Sequence, residues 1–127
     1  MDIQPLALVI EDNEDQNLVF TTALQQAGYQ VDSLFNGEAA QLRLLEVVPE
    51  LVILDLHMPD IDGNVILGQI RADKRLLHTR VILATADAAF AGSLQPQADL
   101  VLLKPISFSQ LSQLVSRYIS HPRIPPF

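Results

Sequence analysis

The chain has no cysteine in its 127 residues, which excludes disulfides and thiolate metal sites and fits a reducing compartment. Basic residues are scarce. Only 8 Lys and Arg stand against 15 Asp and Glu, a net charge of -7 that disfavours nonspecific binding to nucleic acid or to an anionic membrane. No apolar run approaches the ~18 residues that a membrane span needs. The start, Met1-Asp2-Ile3-Gln4-Pro5, lacks the basic-then-apolar order of a secretory signal. No Gly-rich turn follows the first apolar run, which disfavours a dinucleotide-binding domain. Neither an internal repeat nor a low-complexity tract is present. What remains is 49% hydrophobic, enough for one core and too short for two comfortable domains. The expectation is a small, acidic, soluble domain of the cytoplasm.

Four apolar runs end in polar side chains. Leu6 to Ile10 runs into Glu11-Asp12, Leu51 to Leu54 into Asp55, Val81 to Ala84 into Thr85, and Leu100 to Leu103 into Lys104. Short continuous apolar runs read as strands buried on both faces. A fifth, more polar run from Tyr29 to Leu34 suits an edge strand. Helical segments alternate with the strands. Asn13 caps the first, with Glu14 and Asp15 in its opening turn, and Gly28 ends it. It carries Leu18, Thr22, Ala23 and Ala27. Asn36 caps a second through Leu42, Leu45 and Val48, closed by Pro49. A third follows Gly63 to about Lys74, with Val65, Ile66 and Ile70. Gly92 and Pro96 keep the fourth short, and Ser107 caps a fifth with Leu111, Leu114, Val115, Tyr118 and Ile119 along one face. This (βα)5 order predicts a parallel sheet with right-handed crossovers. The segment 121–127 reads as a Pro-rich tail, a frayed end or the start of a linker.

In a parallel sheet the polar strand ends meet at one edge, the edge at which open α/β sheets bind ligands. Glu11, Asp12 and Asp55 gathered there would repel one another unless a cation sat among them. An all-oxygen donor set selects a hard ion such as Mg2+, which keeps waters and binds phosphate oxygens. Asp55, at the end of the third strand, is placed to attack phosphorus and become an aspartyl phosphate. The Thr85 hydroxyl and the Lys104 ammonium then supply donors to phosphoryl oxygens. Taken singly, Asp55 reads better as a helix-capping or turn aspartate, Thr85 as strand filler and Lys104 as a solvated charge. Their joint placement argues for a shared task. His78 and His121 read as ordinary surface residues.

Glu11-Asp12, Leu51 to Pro59 around Asp55 with Asp60 and Gly63, Ala84-Thr85-Ala86 and Leu103-Lys104-Pro105 together resemble a response-regulator receiver domain of two-component signalling. The likeness spans residues 6 to about 120, so residues 1–120 are expected to form the receiver domain. It implies a flavodoxin-like fold with strand order 2-1-3-4-5 and helices on both faces. It further implies that Asp55 accepts a phosphoryl group from a sensor histidine kinase, a phosphotransfer protein or a small phosphodonor. Asp12 and Asp55 would bind Mg2+ directly, Glu11 would act beside it through water, and the His57 backbone carbonyl would complete the protein ligands. Lys104 would pair with the free or phosphorylated carboxylate, and the bond to Pro105 would often be cis. His57 and Asp87 would form a rim that tunes how readily water reaches the phosphoryl group. The expected partners are that kinase or phosphotransfer protein, an output protein or domain, and a second copy in a homodimer.

Two departures from the family pattern stand out. Receivers usually carry Tyr or Phe three residues before the lysine, where this chain has Val101. Lys104 follows Thr85 by only 19 residues, a shorter interval than is common, and the shortfall lies in the fourth helix. The phosphorylation chemistry is therefore expected to be intact, while the relay from Thr85 is expected to leave by an altered helix 4/strand 5 route. Catalysis would be limited to taking and losing the phosphoryl group, so no enzyme in the ordinary sense is expected. A pseudo-receiver that binds a partner without phosphate is one alternative. An aspartyl-nucleophile phosphohydrolase is another, although such enzymes place an acid where this chain has His57.

Overall fold

Continuous apolar runs form the middle of the sheet. In the computed structural model, which describes residues 4–94, 96–119, 121 and 123–125, the strands are β1 (Leu6–Ile10), β2 (Gln30–Leu34), β3 (Leu51–Asp55), β4 (Arg80–Thr85) and β5 (Leu100–Leu103). They make one sheet in the order β2-β1-β3-β4-β5, and every pairing is parallel. The helices are α1 (Glu14–Gln26), α2 (Gly37–Glu46), α3 (Gly63–Ala72), α4 (Ala88–Leu94) and α5 (Phe108–Ser116). This is the flavodoxin-like arrangement expected from the sequence, with α4 reduced to 7 residues.

Alternation along each strand divides the core in two. Leu8, Ile10, Val52, Leu54, Val81 and Leu83 face α2, α3 and α4, whose Ala40, Leu44, Ile66, Leu67, Ile70 and Ala91 cover them. Ala7, Val9, Leu51, Ile53, Ile82 and Ala84 face α1 and α5, where Phe20, Ala23, Leu24, Leu111 and Val115 pack. β3, in the centre, is buried along its whole length. Gly28 closes α1 with φ +109°, a left-handed conformation that suits glycine at a helix end.

The second helix stops at Glu46, short of the Val48 expected from the sequence. Leu18, Leu42, Leu45 and Val65 of the helices are exposed, whereas Asn17 and Phe20 of α1 and Ala40 and Leu44 of α2 are buried. Apolar residues occur on both sides of these helices, so apolar content alone does not select the inward face.

Of the Pro-rich segment 121–127, residues 122, 126 and 127 lie outside the described residues, and two of the others make contacts. Arg123 Nε donates to Asp99 Oδ1 at 2.7 Å, and its guanidinium also donates to the Leu77 carbonyl at 2.7 Å. The Arg80 guanidinium lies 3.8 Å over the Tyr118 ring and donates to the His121 carbonyl at 2.9 Å. Residue 121 is thus fastened to the first residue of β4, and residue 123 to the segments that lead into β4 and β5.

Candidate functional site

Each polar strand end arrives at the C-terminal edge of the sheet. Glu11 follows β1 and is 1% exposed, Asp55 closes β3 at 4%, and Thr85 closes β4 at 1%. Asp12, beside Glu11, is exposed. One carboxylate oxygen from each of Glu11, Asp12 and Asp55 lies within 4.8 Å of the others. Lys104 enters from the end of β5 through a cis bond to Pro105. These residues, with Asn13, Gln16, His57 and Ala86, line a cleft of about 330 Å³.

Lys104 Nζ lies 2.7 Å from Glu11 Oε1 and 3.6 Å from Asp55 Oδ1. Its tighter partner is therefore Glu11, the more deeply buried of the two acids, and not the Asp55 carboxylate alone as the resemblance implied. Even so, burial pushes the Glu11 carboxyl up to about 7. The Lys104 bond opposes that rise, and the neighbouring Asp55 adds to it. One ammonium does not offset three carboxylates gathered so closely, two of them buried. An all-oxygen donor set with excess negative charge suits a hard divalent cation.

Local structure fixes these side chains. The Asn13 side chain accepts from the Gln16 N–H at 2.9 Å and so caps α1, which starts the helix directly behind Asp12. The His57 N–H donates to Asp55 Oδ1 at 3.2 Å. Gly63 opens α3 against the end of β3, where a Cβ would run into the Asp55 carbonyl oxygen and the Leu56 Cα. Only glycine permits that approach, so the loop after Asp55 is held close to its own strand. Asp60, quoted above within the motif, belongs to the scaffold. Its two oxygens accept the Gly37 and Glu38 N–H groups, each at 2.9 Å, which hold its carboxyl below the usual range.

On the rim, His57 Nε2 lies 3.4 Å from Asp87 Oδ2, and the Asp87 N–H donates to Thr85 Oγ1 at 3.0 Å. Val101, on β5, lines a separate hollow of about 200 Å³ with Ala88, Ala91, Gly92 and Leu103. Sequence reasoning missed Asn17. It is buried, and its amide donates to the Glu11 carbonyl at 3.0 Å and the Leu34 carbonyl at 3.2 Å, tying the ends of β1 and β2 together. Its only sequence signal is a polar side chain four residues after the helix cap.

The described residues include no helix long and apolar enough to cross a membrane. The Response regulator receiver domain family matches residues 7–116. The chain is 31% identical over 121 residues to the probable methanogenesis regulatory protein FilR2 of Methanothrix harundinacea, covering 87% of this chain and 78% of that protein. It is 37% identical over 108 residues to the transcriptional regulatory protein HprR of Escherichia coli, covering 82% of this chain and 47% of that one. The chain thus spans about half the length of this second relative. Among solved structures, it resembles the signal receiver domain of a Luxo repressor protein from Vibrio parahaemolyticus with a TM-score of 0.82 at 26% identity, covering 93% of this chain and 92% of that one. It also resembles the receiver domain of a sensor histidine kinase from Pseudomonas aeruginosa, which has a magnesium ion coordinated in its active-site cleft, with a TM-score of 0.81 at 25% identity and coverage of 93% and 99%. With the matched family spanning all five strands and the acidic cleft between them, the chain belongs to the response-regulator receiver domains, a family of signalling modules.

Proposed function

We infer that this receiver takes a phosphoryl group onto Asp55 from a histidine kinase or a phosphotransfer protein, in the cytoplasm, and thereby switches a protein–protein interaction. The observation that carries this reading is the imbalance of the cleft, in which three carboxylates converge on one ammonium. Asp12 and Asp55 would hold Mg2+, with the His57 carbonyl as a further ligand and Glu11 reaching the ion through water. When bound, that ion neutralises charge on the phosphoryl oxygens.

The remaining work falls to the chain. An Asp55 carboxylate oxygen attacks phosphorus, the bond from phosphorus to the donor nitrogen or oxygen breaks, and its electron pair leaves with the donor. The Thr85 hydroxyl and the Lys104 ammonium donate to phosphoryl oxygens. Lys104 has three N–H donors, so it can donate to a phosphoryl oxygen while keeping its bond to Glu11. The His57 and Asp87 side chains stand at the mouth, where water would approach the aspartyl phosphate. Val101 leaves no ring on β5 to follow Thr85, so the signal leaves by the loop after Thr85 and α4.

Intact-protein mass after incubation with acetyl phosphate and Mg2+ tests the assignment. A gain of one phosphoryl group is expected in the parent and none in Asp55→Asn. If neither protein gains mass and Mg2+ fails to bind, the chain is instead a phosphate-independent binding module.

A further inference from the structure

Asp87 commits three polar groups to three different segments. Its N–H donates to Thr85 Oγ1 at the end of β4, at 3.0 Å. Its Oδ1 accepts the Phe90 N–H in the first turn of α4, at 3.0 Å, and its Oδ2 faces His57 Nε2 on the loop after β3, at 3.4 Å. The Phe90 ring closes the circuit. Its centroid lies 5.6 Å from that of the His57 ring, with the planes tilted by 31°. Two connections from Asp87 therefore end at one residue, through the Phe90 backbone and through its ring.

We propose that Phe90 is the aromatic group whose environment reports the state of Asp55, with Asp87 as the positioning residue that drives it. The inference rests on the phosphoacceptor reading above and names the group through which that site would be read. A threonine hydroxyl has one proton to give and two lone pairs to receive. Thr85 can therefore donate to a phosphoryl oxygen while still accepting from Asp87, and a movement of Thr85 toward Asp55 draws the Asp87 backbone along. The Asp87 carboxylate moves with it, so its bond to the Phe90 N–H and its approach to His57 must follow or be lost.

The surroundings allow such a shift. α4 has 7 residues, a length at which helix stability comes from packing and little from the helix itself. Beside it lies the hollow of about 200 Å³ next to Val101, and the Cβ position of Gly92 meets nothing within 4 Å. Phe90 is half-buried and packs on the same core layer as Val101. An aromatic ring thus packs on the same core layer as the position where the family's usual ring is missing, but it is carried by the helix.

The chain contains no tryptophan, so Phe90→Trp supplies a single indole reporter. With acetyl phosphate and Mg2+, its emission is expected to shift in step with the mass gain, and adding Asp55→Asn abolishes both changes. Adding Asp87→Ala instead, compared at equal phosphoryl content by mass, removes most of the emission change. Asp87→Asn, which keeps an acceptor for the Phe90 N–H, restores part of it. A role in capping α4 alone would already change the emission before phosphorylation, whereas the relay changes only the response to it. In the unsubstituted chain, the amide resonances of Asp87 and Phe90 should move further than those of β5. A silent indole with unmoved amides in a phosphorylated protein overturns the proposal, as does a full response in Asp87→Ala. Failure of the parent to gain mass overturns the phosphoacceptor reading itself, and the relay falls with it.

Discussion

The two edges of the sheet solve opposite problems with similar residues. At the N-terminal edge, Asp99 is gripped from both sides. Its Oδ2 accepts from the Arg71 guanidinium and the Val81 N–H, each at 2.7 Å, and its Oδ1 accepts from Arg123 at 2.7 Å. Arg71 also donates to the Gln97 and Thr79 carbonyls. At the C-terminal edge, three acids share one lysine and Glu11 holds its proton up to about pH 7. Both clusters are largely buried, but only the first is neutralised by its own neighbours. A buried polar cluster that satisfies itself reads as architecture, and one that does not reads as a place for something else to bind.

The sharpest way to break this contrast is Asp55→Asn. It should eliminate phosphoryl uptake altogether while leaving the protein as stable as the parent or more so, because one of several like charges is removed. Intact mass and urea unfolding report the two halves of that prediction. The reverse pattern is expected for Asp99→Ala, which strands two half-buried guanidiniums. It should cost about 2–4 kcal/mol in urea unfolding and leave phosphoryl uptake intact in the folded protein.

The pH dependence sharpens the same comparison. Glu11 is raised from 4.5 to about 7, so between those values the folded chain keeps a proton that the unfolded chain releases. Its contribution to stability is therefore complete below pH 4.5 and is lost as pH rises to about 7. Urea midpoints without Mg2+ should fall across that window, and Glu11→Gln should flatten the fall. Because cation binding needs the carboxylate, Mg2+ affinity should weaken as pH drops below about 7. A titration at two pH values checks this. The smallest effect belongs to Gly92→Ala, whose added methyl meets nothing within 4 Å inside a helix. It should stabilise the fold by about 0.5–1 kcal/mol without altering phosphoryl uptake.

The sheet and the acidic edge were legible because strands buried on both faces are continuous apolar runs, and each of these runs ends where the chemistry begins. The inward faces of α1 and α2 were not, because Leu18, Leu42 and Leu45 are as apolar as the residues that pack beneath them. Asn17, and the scaffold role of Asp60, escaped notice for a different reason. Their partners, the Leu34 carbonyl and the Gly37 N–H, lie 17 and 23 residues away, and a single polar side chain does not announce such a distant bond. Arg123 is the extreme case. It stands among prolines that suggest a loose end, yet it closes an ion cluster with a residue 24 positions earlier.

That last contact has a practical meaning for recombining signalling modules. The last turn of α5 is the obvious place to cut when one receiver is swapped for another. A splice there would discard Arg123, leave Asp99 with a single guanidinium, and loosen the junction of α3, β4 and the tail. Fusions that carry this chain past Arg123 keep the fastening to Asp99 and Leu77.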